Sequence, residues 1–79
     1  MNKKVFKIVS QVMGIPVEEV NEDSSPDTIS QWDSLQHMNL ILALEEEFKI
    51  QFTGDQTVSM LNVKLILLTL EELGIKMDK

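Results

Sequence analysis

The sequence predicts an all-α fold, a small four-helix bundle with three principal helices and a short third helix. Three stretches carry apolar residues at helical spacing, and each is followed by a glycine. No run of β-branched residues alternates with polar ones, which argues against a sheet. A chain of 79 residues has room for one thin core, so residues 1–79 are expected to form one domain.

The first helix is predicted over residues 3–13, where five apolar residues share one face and Gly14 follows as a stop. Residues 14–33 form a long loop with both prolines and an acidic cluster. Loops of this length are uncommon in small domains. We therefore expect a short helical turn in the segment PVEEV, and apolar residues that hold the loop down. The expected anchors are Ile15, Val17, Val20, Ile29 and Trp32.

The second helix is predicted to begin after Asp33, which acts as N-cap with Gln36 completing a capping box, and to run to Phe48. Gly54 breaks the pattern, and the following residues DQTVSM are long enough for a short third helix. Asn62 is a good N-cap for the fourth helix. Its core face is predicted to be Val63, Ile66, Leu67, Leu70 and Leu73, with Gly74 as the stop.

Leu65 and Leu68 lie off the main apolar face of the fourth helix. Two interpretations are open. The run VKLILLTL is buried over a wide arc between its neighbours, which we slightly favour, or these two leucines form a second contact patch.

The second helix carries apolar residues on two opposite sides. One side is a core stripe that comprises His37, Leu40, Ile41, Leu44 and Phe48. The other side carries Leu35, Met38 and Leu42, followed by Glu45 and Glu46. Either this helix is buried on both sides, or the second side is a docking surface with an apolar strip and an acidic end. We favour docking, because so small a bundle has few elements with which to cover two faces.

Charge and composition limit the partners. The net charge is −6, with seven lysines and no arginine, so the chain repels nucleic acid and anionic lipid and favours basic protein surfaces. Without cysteine and with one histidine it lacks the ligands of a thiolate or zinc site, and we expect no metal site of its own. No apolar run is long enough for stable membrane insertion, and the N-terminal residues lack the apolar segment of a secretory signal. We expect a cytoplasmic monomer.

Ser34 occupies the first position of the second helix, beside Asp33, and its hydroxyl is expected to be exposed. A phosphate esterified there would lie near free backbone N–H groups and the positive end of the helix dipole. The position therefore suits a phosphodiester. For a serine at a helix start taken alone, plain capping is the more common role.

Two other chemistries are disfavoured. Ser34 and His37 share a side of the helix, but no G-x-S-x-G turn is present to support nucleophilic catalysis. A calcium loop that started at Asp23 would place Thr28 where glycine is needed and a serine where glutamate is needed. We therefore expect neither an enzyme nor an EF-hand, and we expect His37 to pack or hydrogen-bond beneath Trp32.

The segment WDSLQHM at residues 32–38, followed by ALEEEF at 43–48, resembles the D-S-L attachment motif and recognition helix of acyl carrier proteins. The resemblance extends over the whole chain. It implies that a phosphopantetheinyl transferase attaches 4'-phosphopantetheine from coenzyme A to Ser34, that Asp33 helps to hold the magnesium of that transferase, and that the arm carries an acyl thioester. It also implies that partner enzymes dock on Leu35, Met38, Glu45 and Glu46, with Asn39 where the family has a glutamate.

The D-S-L motif is preceded by Ser30 and Gln31, where the family has a Leu-Gly pair, and the sequence resembles specialised carriers outside housekeeping fatty-acid synthesis. An acyl pocket is expected among Leu40, Leu44, Met60 and Ile66, because such a core can open a dry cavity. The expected partners are acyl-loading and acyl-using enzymes of fatty-acid, lipid or polyketide type. The alternative is an unmodified helical protein-interaction module.

Overall fold

The computed structural model describes residues 3–75, and all regular structure in this range is helical. Four α-helices follow one another along the chain, with a 3₁₀ helix at Val17–Glu19 between the first two. The α-helices are α1 (Lys3–Met13), α2 (Ser34–Phe48), α3 (Gly54–Ser59) and α4 (Val63–Glu72). The predicted all-α fold with a short third helix is confirmed.

One apolar core joins the helices. Its fully buried side chains come from α1, α2, α4 and the residue that follows α3, and α1 packs directly on α2. Burial of this cluster supplies the main favourable term in the stability of so short a chain. The largest fully buried side chains are Leu40, Leu44, Met60, Ile66, Leu70, Val5, Val9 and Val63.

The ends of the helices follow the caps that the sequence contains. Gly14 adopts a left-handed backbone with φ of 72° directly after α1, as predicted. The short α3 begins one residue earlier than expected, with Gly54 as its first residue, because the Thr53 hydroxyl accepts from the backbone N–H of Gln56. The Gln56 side chain accepts from the Thr53 N–H in return, which completes a capping box.

The N-terminus of α4 is capped by three acceptors, two of which come from the long loop. The backbone carbonyls of Ser24 and Glu22 accept from the N–H groups of Val63 and Lys64, each at 3.0 Å. The Asn62 side chain accepts from the next N–H, that of Leu65, at 2.8 Å. The loop therefore satisfies donors that would otherwise lack partners at the start of α4.

The loop is anchored as predicted by Val20, Ile29 and Trp32, all of which are buried. The predicted helical turn is the 3₁₀ helix, which presents Val17 to solvent with 42% of its surface exposed. The expectation that Val17 anchors the loop was therefore wrong, because the 3₁₀ turn directs this side chain away from the core.

The outer face of α4 also differs from the prediction. Leu65 and Leu68 are 37% and 46% exposed, so the favoured burial over a wide arc was wrong. Both leucines line a shallow surface groove of about 280 Å³ between α3 and α4. Leu73, predicted on the core face, is the C-terminal cap of α4 and is also exposed, because the helical turn ends at Glu72.

Candidate functional site at the start of the second helix

Asp33 and Ser34 open α2 in the predicted geometry. Asp33 is the N-cap, and its Oδ1 accepts from the backbone N–H of Gln36 at 2.8 Å. Ser34 is the first helical residue and is exposed. An anion attached to its hydroxyl would lie at the positive end of a 15-residue helix, a location that stabilises negative charge.

Ser34 differs from the other five serines of the chain in its hydrogen bonding. Within residues 3–75 its hydroxyl is the only serine hydroxyl that makes no hydrogen bond to the chain. The others donate to or accept from nearby groups, and Ser24 is also buried. These engaged serines are Ser10, Ser24, Ser25, Ser30 and Ser59.

Gln36 does not complete the predicted capping box. Its Nε2 donates instead to the backbone carbonyl of Val12 at 2.8 Å, near the C-terminal end of α1. Its Oε1 accepts from Asn39 Nδ2 at 2.7 Å. The reason for the difference is that the last carbonyls of α1 lack helical partners and lie within reach of this amide.

His37 is held between the loop and α3. Its Nδ1 accepts from Trp32 Nε1–H at 3.0 Å, and its Nε2 lies 2.8 Å from the backbone carbonyl of Thr57. A carbonyl can only accept, so the network assigns the proton to Nε2. Both ring nitrogens are therefore occupied, which removes His37 as a base for Ser34. The predicted contact with Trp32 is confirmed. The bond to Thr57 was not predicted, because it joins residues 20 positions apart in the sequence.

The second apolar side of α2 faces solvent. Leu35, Met38 and Leu42 are 70%, 48% and 58% exposed, so the interpretation that this helix is buried on both sides was wrong. Large apolar side chains exposed in a row are typical of an interaction site rather than of ordinary surface. Asn39 is exposed beside this strip.

The three glutamates at the end of α2 differ in exposure and in the partners of their carboxylates. Glu45 is half-buried, and its Oε2 accepts from the backbone N–H of Phe52 at 2.8 Å, so it holds the turn that follows the helix. Glu47 forms an ion pair with Lys4 at 3.3 Å. Glu46 is exposed and lines a groove along α1 and α2. The acidic end that the sequence predicts therefore has Glu46 as its most available charge.

The four residues of the predicted acyl pocket lie together in the core. Leu40, Leu44, Met60 and Ile66 are each 0% exposed and belong to one apolar cluster. Three surface grooves, of about 280 to 540 Å³, are lined by other residues of the chain. Any acyl cavity at this place would have to open by separation of the packed side chains.

Asp33 cannot hold a metal ion by itself. Among residues 3–75 no three acidic or histidine side chains converge as a metal site. One carboxylate oxygen of Asp33 is already used by the helix cap, so a magnesium ion there would need further ligands from another molecule.

Among residues 3–75, no helix has the length and apolarity required to cross a membrane.

Comparison with known proteins identifies the family. Residues 3–59 match the family described as "Phosphopantetheine attachment site". The chain is 32% identical to "Acyl carrier protein" of Buchnera aphidicola subsp. Baizongia pistaciae, over 84% of this chain and 85% of the relative. It is 36% identical to "Acyl carrier protein" of Nitratidesulfovibrio vulgaris strain DP4, over 81% and 84%. "Acyl carrier protein" of Buchnera aphidicola subsp. Schizaphis graminum is 41% identical over 70% of each chain.

The family match covers α1 through α3, including the start of α2 with its exposed serine. The chain belongs to the acyl carrier protein family. It is a carrier rather than an enzyme: acyl intermediates are held on a covalent 4'-phosphopantetheine and presented to biosynthetic enzymes. The match favours this function over the unmodified interaction module.

Proposed function

We propose that Ser34 is the residue that carries the 4'-phosphopantetheine. The observation that supports this best is that the Ser34 hydroxyl, at the start of α2, is exposed and makes no hydrogen bond to the described chain. The hydroxyls of the other five serines all make one. The backbone N–H groups of the first helical turn favour the phosphodiester that joins the arm to the protein. When attached, the arm supplies a terminal thiol on which the acyl group is held as a thioester.

Asp33 is proposed to share the magnesium ion of the transferase during attachment. Its Oδ1 is fixed by the bond to the Gln36 N–H at 2.8 Å, which leaves Oδ2 without a hydrogen bond in the described chain. The fixed carboxylate lies next to the serine that reacts. The remaining ligands would come from the transferase and from the phosphates of coenzyme A, because Mg²⁺ prefers oxygen ligands.

The exposed side of α2 is proposed to bind partner enzymes. The docking strip consists of Leu35, Met38 and Leu42, with Asn39 beside it, and it starts at the residue that follows Ser34. Apolar contacts along this strip would supply most of the binding free energy, because they are desolvated at the interface centre.

The acidic end of α2 is proposed to orient those partners. Glu46 is exposed, and Glu45 contributes through the part of its carboxylate that remains accessible. The whole chain carries a net charge of −6, which attracts a basic docking surface and speeds encounter. The partners proposed are the transferase and the enzymes that load and use the acyl group, acting on a cytoplasmic monomer.

The acyl chain is proposed to enter the core between α2, α3 and α4. Leu40, Leu44, Met60 and Ile66 form an apolar lining without polar side chains, and Met60 can adapt its shape because its side chain is unbranched. Movement of Met60, which follows α3 directly, would give access to this lining while α3 stays in place.

Intact-mass measurement tests the attachment residue. The purified protein is incubated with coenzyme A, magnesium and a phosphopantetheinyl transferase. The wild type should gain the mass of one phosphopantetheine, and Ser34→Ala should gain none while it keeps its helical circular dichroism, since Asp33 still caps α2. Ser30→Ala is the matched control and should be modified like the wild type. Modification of Ser34→Ala would refute the proposal.

A further inference from the structure

The first turn of α2 holds the ends of two other helices. Gln36 donates to the carbonyl of Val12 in the last turn of α1, and His37 donates to the carbonyl of Thr57 in the last turn of α3. The last four carbonyls of a helix have no partner within it. Two successive side chains, two and three residues after Ser34, therefore bind the C-terminal ends of α1 and α3.

The α3 helix depends on such contacts more than the other helices do. It has six residues, and none of their side chains is fully buried. A helix this short is unstable by itself, and it receives little help here from apolar packing. Its start is fixed by the capping box of Thr53 and Gln56, whereas its end is fixed by the bond from His37.

Trp32 determines which nitrogen of His37 donates. The indole Nε1–H points at Nδ1 from 3.0 Å, so Nδ1 must offer its lone pair and the proton must lie on Nε2. The two ring planes lie within 21° of each other with centroids 6.1 Å apart, as expected for rings joined edge to edge by this hydrogen bond. Trp32 itself is buried in the loop. The loop, α2 and α3 are thus joined through one imidazole ring.

We propose that His37 is a positioning residue that fixes the end of α3 beside the first turn of α2. Partner enzymes then meet Ser34 and the exposed side of α3, where Val58 is 68% exposed, in one fixed arrangement. The consequence for partner recognition rests on the proposed attachment at Ser34. The placement of α3 does not, and it can be measured on the unmodified protein.

Hydrogen exchange measured by NMR tests the placement. His37→Phe keeps a ring but offers no donor to Thr57, so amide exchange in α3 should accelerate by about tenfold while α4 is unchanged. His37→Gln retains a donor that can reach this carbonyl and should restore most of the protection. Gln36→Leu is the matched control: it should accelerate exchange at the end of α1 and leave α3 protected.

Two further readouts separate positioning from a general structural role. The ¹⁵N spectrum of the His37 ring should show the proton on Nε2 in the wild type. With the transferase, His37→Phe should raise KM for the carrier severalfold and leave kcat unchanged, because chemistry at Ser34 is intact and only the docking arrangement is disturbed.

The results that overturn the inference are equally specific. In the exchange experiment they are an α3 that stays protected in His37→Phe, a rise in exchange spread evenly over all helices, or a His37→Gln variant that behaves like His37→Phe. In the ¹⁵N spectrum the contradicting result is a proton on Nδ1 of His37. In the kinetic experiment it is an unchanged KM in His37→Phe. If Ser34 never accepts the arm in any variant, the proposed attachment fails, whereas the exchange data still decide the role of His37.

Discussion

Truncation of Leu44 separates the packing side of α2 from its docking side. Leu44 is 0% exposed, and its change to alanine removes three carbons from the core, worth about 2.4 kcal/mol at about 0.8 kcal/mol each. The cavity left behind raises the expected loss to about 3 to 5 kcal/mol. For a folded chain of 79 residues the free energy of unfolding is roughly 4 to 12 kcal/mol, so Leu44→Ala should remove a large part of it.

Leu42→Gln is the matched variant on the opposite side. Leu42 is 58% exposed, so the free energy of unfolding should change by no more than about 0.5 kcal/mol. Attachment of the arm by the transferase should nevertheless slow, because an apolar contact with the enzyme is lost. Urea unfolding and a loading assay are run on both variants. If Leu42→Gln lost as much stability as Leu44→Ala, or loaded at the wild-type rate, the assignment of the docking side would be refuted.

Two further variants test charge and capping. Glu46→Lys should slow the loading of the arm and flatten the dependence of the loading rate on salt. Glu47→Lys should change the loading rate less, because Glu47 is already paired with Lys4 at 3.3 Å. Equal effects of the two variants in stopped-flow loading assays would show that the acidic end was placed wrongly. Asn62→Ala should lower the free energy of unfolding by about 1 kcal/mol in urea melts, because the N-cap acceptor of the Leu65 N–H is lost. An unchanged urea midpoint would mean that the loop carbonyls suffice to hold α4.

The helix boundaries could be predicted because their signals are local. The side chains of Asp33 and Asn62 each accept a hydrogen bond from the backbone N–H three residues later, which caps α2 and α4. Gly14 supplies the left-handed stop of α1. The exposed strip on α2 was predictable for a related reason. Helical spacing places Leu35 and Met38 on one side without knowledge of any neighbour.

The contacts that hold the site together could not be predicted, because they join residues distant in the sequence. Nothing near Ser24 indicates that its carbonyl caps α4, and nothing near His37 indicates that it caps α3. Half-burial of Glu45 likewise follows from a bond to Phe52 across the turn after α2. The exposure of Leu65 was missed for the same reason, since an apolar arc is buried only where another element covers it.

This chain belongs to a family that carries acyl groups on a covalent arm, and we propose that Ser34 holds the arm. The most direct measurement is mass spectrometry of the protein purified from its native cell, intact and after proteolysis. We predict one phosphopantetheine on the peptide that contains Ser34. Part of the population should carry an additional acyl mass, and hydroxylamine should remove this mass because it cleaves thioesters. An unmodified Ser34 in the native protein, or an arm found on another serine, would contradict the account.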